Sequence, residues 1–164
     1  MPNHHYLIYF RCGNSHSLSY LTKSAETNFS GSKITTFDTL PGGINELLIS
    51  RDMPIGQEEI RAFESLFGGY IGQIIYSRQI SQHSLSIVAN LKFSFWEILT
   101  FKKFFYLKNL RKLLPSDPEI SHFIATGNFV LIFFQSKHPI EPQEVIFFKS
   151  IVSEASSACL TTII

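Results

Sequence analysis

His4 and His5 open the first apolar run of the chain, and a histidine pair on a strand is one way to hold a metal ion. Both rings reach one ion only if they alternate, because successive strand residues point to opposite faces. These two are adjacent and Tyr6 follows, so they do not converge. His16, His83, His122 and His138 are scattered, with no i,i+4 pair and no C-x-x-C, and read as surface or capping residues. None of the many serines lies in a G-x-S-x-G elbow. Asp52 and Asp117 stand beside Pro54 and Pro118, at turn and cap positions. Glu58, Glu59 and Glu64 fall on the expected solvent face of a helix rather than in a cleft. These residues predict no metal, no cofactor and no catalytic motif. A non-motif enzyme would have to use a scattered histidine or Cys12, and a nucleophilic thiol needs a lowered pKa.

The one anomaly of charge is residues 92–112. Lys92, Lys102, Lys103, Lys108, Arg111 and Lys112 stand there against Glu97 alone, interleaved with Phe93, Phe95, Trp96, Phe101, Phe104, Phe105 and Tyr106. As one helix, this segment puts Phe95, Leu99, Tyr106 and Leu110 on one face and Phe101, Phe104 and Phe105 largely on others. A helix apolar around much of its girth must bury two sides. One side meets the domain's own sheet, and the other is available to a partner. The expected contact set is Phe101, Lys102, Phe104, Phe105, Lys108 and Arg111. A protein partner or a second copy suits it best, ahead of an anionic membrane surface, and nucleic acid least. The plain alternative is a core helix whose lysines extend to water.

The 164 residues suit one domain, 1–164, with a core that needs no disulfide. Charged residues make up 16%, well below the usual quarter or so, and phenylalanine occurs 16 times. A net charge of +1 sets up no global field for nucleic acid or membrane. Cys12 and Cys159 read as two reduced thiols, and the first residues lack the basic start of a signal peptide. A cytoplasmic location is therefore expected.

The patterning predicts a strand over 5–10, a short helix capped by Asn14 or Ser15, and a hairpin of 33–40 with 44–50 around Pro41-Gly42-Gly43. Ile60, Phe63, Phe67, Tyr70, Ile71 and Ile74 are spaced by three and four, which predicts a helix over 57–77. A strand over 85–89, a largely helical 93–114 and a hairpin of 120–125 with 129–135 follow. A closing helix marked by Val145, Phe148, Val152, Ala155 and Cys159 begins at Pro142.

Residues 47–67 and 132–152 match at a spacing of 85. Pro54/Pro139, Ile55/Ile140, Glu59/Glu144, Phe63/Phe148 and Ser65/Ser150 coincide, and Ile60/Val145 and Leu66/Ile151 are near-equivalent. The order strand, helix, hairpin, helix occurs twice. This predicts an α+β fold of two ferredoxin-like βαββα halves, about 1–80 and 81–164, sharing one antiparallel sheet of six to eight strands with helices on it.

Gly43-Ile44-Asn45-Glu46-Leu47-Leu48-Ile49-Ser50, Pro54 and Glu58-Glu59-Ile60-Arg61-Ala62-Phe63 form a strand, a proline turn and an acidic helix start. Residues 44–76, echoed at 130–160, resemble the closing strand, turn and helix of GAF-type sensor domains. That resemblance implies a sensor or dimerisation module rather than an enzyme. The leading functional expectation is a non-catalytic protein-interaction or regulatory module working through Phe/Lys-rich surfaces. A GAF-like small-molecule sensor and a non-motif enzyme are the alternatives.

Overall fold

The computed structural model describes residues 4–12, 14–40, 43–68, 71–80, 83–114, 121–126 and 128–164, with backbone alone at 37–40, 126 and 156–160. Two compact units divide the chain, Met1–Ser81 and Gln82–Ile164. The fold is α+β, with two four-stranded antiparallel sheets and five helices among the described residues.

Unit 1 runs β1 (His4–Arg11), α1 (Ser15–Asn28), β2 (Lys33–Leu40), β3 (Ile44–Arg51), α2 (Gln57–Glu64) and β4 (Gln73–Ile80). Its sheet order is β2-β3-β1-β4. Ile8 of the central β1 faces Leu47 on one side and Ser77 on the other. Asn14 caps α1 by accepting a 2.8 Å hydrogen bond from the Ser17 amide. Leu21 and Ala25 follow one turn apart and are fully buried. Tyr6, Ile8, Phe10, Leu47, Ile49, Ile60 and Phe63 complete the core. Rings link edge to face through it, Phe29 to Phe63 at 5.4 Å, Phe63 to Phe67 at 5.4 Å and Phe67 to Phe10 at 5.2 Å.

Unit 2 repeats this order, with two helices where unit 1 has α1: β5 (His83–Leu91), α3 (Phe95–Leu99), α4 (Lys102–Lys112), β6 (Ser121–Thr126), β7 (Phe129–Ser136), α5 (Pro142–Ser153) and β8 (Ser156–Ile163). Its sheet order, β6-β7-β5-β8, is the counterpart of the first. The matched residues of the repeat do matched jobs. Glu59 and Glu144 each accept from a backbone amide three residues back, Gly56 and Glu141, at 2.7 and 2.9 Å. Phe63 and Phe148 are both core, and Ser65 and Ser150 each donate to the carbonyl three residues back, at 2.7 and 2.8 Å.

Several expectations change. The helix expected over 57–77 ends at Glu64, and Gln73–Ile80 is strand β4. Ile71 and Ile74 pack on the same core as Ile60 and Phe63, so the apolar spacing continues past the end of the helix. A Cβ on Gly72 would stand 2.6 Å from the Arg11 carbonyl, so only glycine lets this entry to β4 pass so near the end of β1. The closing helix likewise stops at Ser153 and Ser156–Ile163 is β8. A strand thus closes each half, giving βαββαβ in unit 1 and βααββαβ in unit 2 rather than βαββα, and eight strands form two sheets of four instead of one. Glu64 also leaves the solvent face, since it accepts from Tyr6 Oη and Ser77 Oγ at 2.7 Å each.

At the β3–α2 turn, Arg51 grips Glu59 with Nη1 and Nη2, and its Nε and Nη2 donate to the carbonyls of Met53 and Pro54. The hydrogen bond from Arg51 holds the Glu59 carboxyl below its ordinary value. A depressed carboxyl stabilises the fold above its unfolded pKa and loses that contribution as pH falls through the folded one. Glu59→Gln is expected to cost about 1 kcal/mol or less at pH 7, the scale of a solvent-screened pair. Urea unfolding at pH 7 and pH 3 should show the gap from wild type shrinking at the lower pH.

Candidate functional site

The two crossovers that follow the central strands differ in length. Ile8 and Thr36 both pair with Leu47, and Ile87 and Phe123 both pair with Ile132. Thr36 lies 28 positions after Ile8 and Phe123 lies 36 after Ile87, so the unit 2 crossover is eight residues longer. The extra length carries α3 and α4.

Helix α3 starts at a capping box. Ser94 Oγ accepts from the Glu97 amide at 3.3 Å, and Glu97 accepts from the Ser94 amide at 2.9 Å. Glu97 also takes the Lys102 ammonium, and these donors, Lys102 first, pull its carboxyl down to about 2. The chain then breaks at Phe101, which is left-handed at φ 58° and ψ 15°. It is the only non-glycine residue with positive φ among the described residues. For a bulky side chain this conformation is an outlier. From Lys102, α4 turns Tyr106 and Leu110 inward. Leu110 is buried, Tyr106 Oη donates to the Ile151 carbonyl at 3.0 Å, and its ring meets Phe93 at 5.7 Å.

The break corrects the single helix expected over 93–114. Phe95 and Leu99 no longer share a face with Tyr106 and Leu110, and both are exposed. Large apolar side chains stand out along the whole segment: Phe95 70%, Trp96 72%, Phe101 66%, and Phe104 and Phe105 58% exposed, joined by Ile98, Leu99 and Leu113. On α5, Ile146 and Phe147 are exposed too. Unit 1 offers only Tyr20 and Met53 of this kind among the described residues. All six expected contact residues, Phe101, Lys102, Phe104, Phe105, Lys108 and Arg111, are exposed here. Phe95 and Trp96 belong with them and were missed. The S-x-x-E signature at 94–97 was the available signal, because it starts a separate helix at Phe95.

The other candidate chemistry does not assemble. No group of three or more His, Cys, Asp or Glu that could hold a metal exists among the described residues. His5 meets Ser50 Oγ at 2.8 Å. Cys12 is a free thiol that accepts from Asn45 Nδ2 at 3.1 Å, and burial pushes its pKa up. Asp117 and the side chain of Cys159 lie outside the described residues. A shallow groove of about 250 Å³ beside α1 is lined by Tyr20, Lys23, Ser24, Thr27, Asn28 and Leu66. No helix among the described residues is long and apolar enough to cross a membrane.

Two outcomes follow. Phe101→Gly should raise stability by about 1 kcal/mol in urea unfolding, since glycine takes the left-handed conformation without a Cβ clash. A loss of stability would mean that the Phe101 ring is held by packing. Cys12 should react with a disulfide reagent at pH 8 more slowly than free cysteine, because less of it is thiolate. Faster reaction would restore a nucleophilic role.

No protein-family model matches the chain, and no curated protein matches it. Among solved structures, it is similar to the acetolactate synthase small subunit from Thermotoga maritima at 11% identity and TM-score 0.33, over 98% of this chain and 94% of that one. It is similar to the ligand-free regulatory subunit of aspartate kinase from Thermus thermophilus at 15% identity and TM-score 0.35, over 92% of each. It is also similar to an unknown protein from Galdieria sulphuraria at 11% identity and TM-score 0.39, over 99% and 98%.

Proposed function

We propose that the chain is a non-catalytic interaction or regulatory module that docks a protein partner on the α3–α4 layer of unit 2. The observation that carries this is the exposure of four phenylalanines and a tryptophan within residues 95–105. Folded chains rarely leave a contiguous apolar patch of more than a few hundred Å² in water. Aromatic anchors with a cationic rim are what protein interfaces enrich, and a few such residues carry most of the binding energy. The strained Phe101 adds support, because an outlier of this kind persists where the surrounding structure over-determines it. The raised thiol of Cys12 weighs against a nucleophilic enzyme.

A small-molecule sensor is the second reading, and the groove beside α1 weighs against it, because its volume falls below the roughly 300–1,000 Å³ of ordinary ligand clefts. The test compares the intact chain with a Phe101→Ser, Phe104→Ser, Phe105→Ser variant as baits in lysate of the source cell. The variant should keep its circular dichroism and melting temperature and lose a protein that the wild type retains. An unfolded variant would make these rings core, and identical retention by both baits would end the docking reading.

A further inference from the structure

The chemistry of the partner can be read from how charge and rings are interleaved on α4. Lys108 lies four residues after Phe104 and three after Phe105, so its side chain shares the outward crest with both rings. Lys112 stands one turn further on, and Arg111 flanks it, all exposed. The segment's carboxylate, Glu97, is already engaged by Lys102 and the Ser94 amide. Whatever covers Phe104 and Phe105 therefore also meets the Lys108 ammonium, and must neutralise it.

This arrangement disfavours a second copy seated on the same face, since a two-fold contact would gather Lys108 and Lys112 of both copies into one interface. It also disfavours a bilayer. A helix lying on lipid keeps its cations on a face apart from its apolar one, whereas here sinking both rings would carry Lys108 in with them. We infer that the α3–α4 layer takes an acidic amphipathic protein segment, whose apolar residues cover Phe104 and Phe105 while its carboxylates pair with Lys108, Arg111 and Lys112. This rests on the docking reading above and deepens it.

The test uses helical peptides built of Leu with Glu, Leu with Gln and Leu with Lys, titrated against the full chain. The Leu/Glu peptide should bind at least tenfold more tightly than Leu/Gln and weaken as salt rises. Lys108→Glu with Lys112→Glu should reverse the order in favour of Leu/Lys. Phe104→Ser with Phe105→Ser should abolish all three while the protein stays folded. Equal affinity for the three peptides would overturn the acidic partner and leave the docking reading standing. Binding only to phosphatidylserine vesicles or to oligothymidine, or to no probe at all, would overturn it as well.

Discussion

The contact on which each unit depends is a phenylalanine on its last helix pressed onto the sheet. Phe63 is fully buried and touches Phe29 at the end of α1 and Phe67 beyond α2, and Phe67 reaches Phe10 of β1. One ring thereby ties the two helices and the central strand together. Phe148 holds the same place in unit 2 and meets Phe134 of β7 at 5.6 Å. Around that ring the rest is constrained. The turn before the helix must present it inward, which in unit 1 is what Arg51 and Glu59 secure. The strand after the helix must return beside β1, which is why Gly72 has no room for a Cβ.

The two crossovers show how one topology can bear different roles. In unit 1 a single helix, α1, turns Leu21 and Ala25 inward and serine, threonine and lysine outward, so its layer is closed. In unit 2 the longer crossover is split at Phe101, and only α4 supplies buried residues while α3 supplies none. The sheet and the closing helix keep the shared plan, and the divergence is confined to the connection that the plan constrains least.

Much of this was legible in the chain. Hairpins with a glycine at the turn, Asn14 as a cap and Pro142 at a helix start are local signals, and each forms where its chemistry placed it. The repeat was legible because Phe63/Phe148 and Glu59/Glu144 do the same work twice. Strands β4 and β8 were hidden for a physical reason. Ile71 and Ile74 return to the core that α2 covers, so burial alone mimicked a longer helix. For β8 the sequence spacing of Val152, Ala155 and Cys159 is that of a helix, and the helix stops at Ser153. The candidate surface was readable from composition, as Phe and Lys in one segment. Its faces were not, because the helical wheel presumes an unbroken helix and the left-handed Phe101 resets the phase.

The position of β4 has a consequence for synthesis. β1 lies at the centre of its sheet, and its second neighbour is the last strand of the unit, with Tyr9 paired to Tyr76, 67 positions later. At roughly 5–20 residues per second, β1 waits about 3–13 s for that partner on the ribosome. During that interval one edge of this central strand has open backbone donors and acceptors, the situation in which strands pair wrongly. β5 repeats the wait for β8, and for it the exposed rings of α3 and α4 have already emerged. The second unit therefore has the larger exposed apolar surface while its central strand still lacks a neighbour.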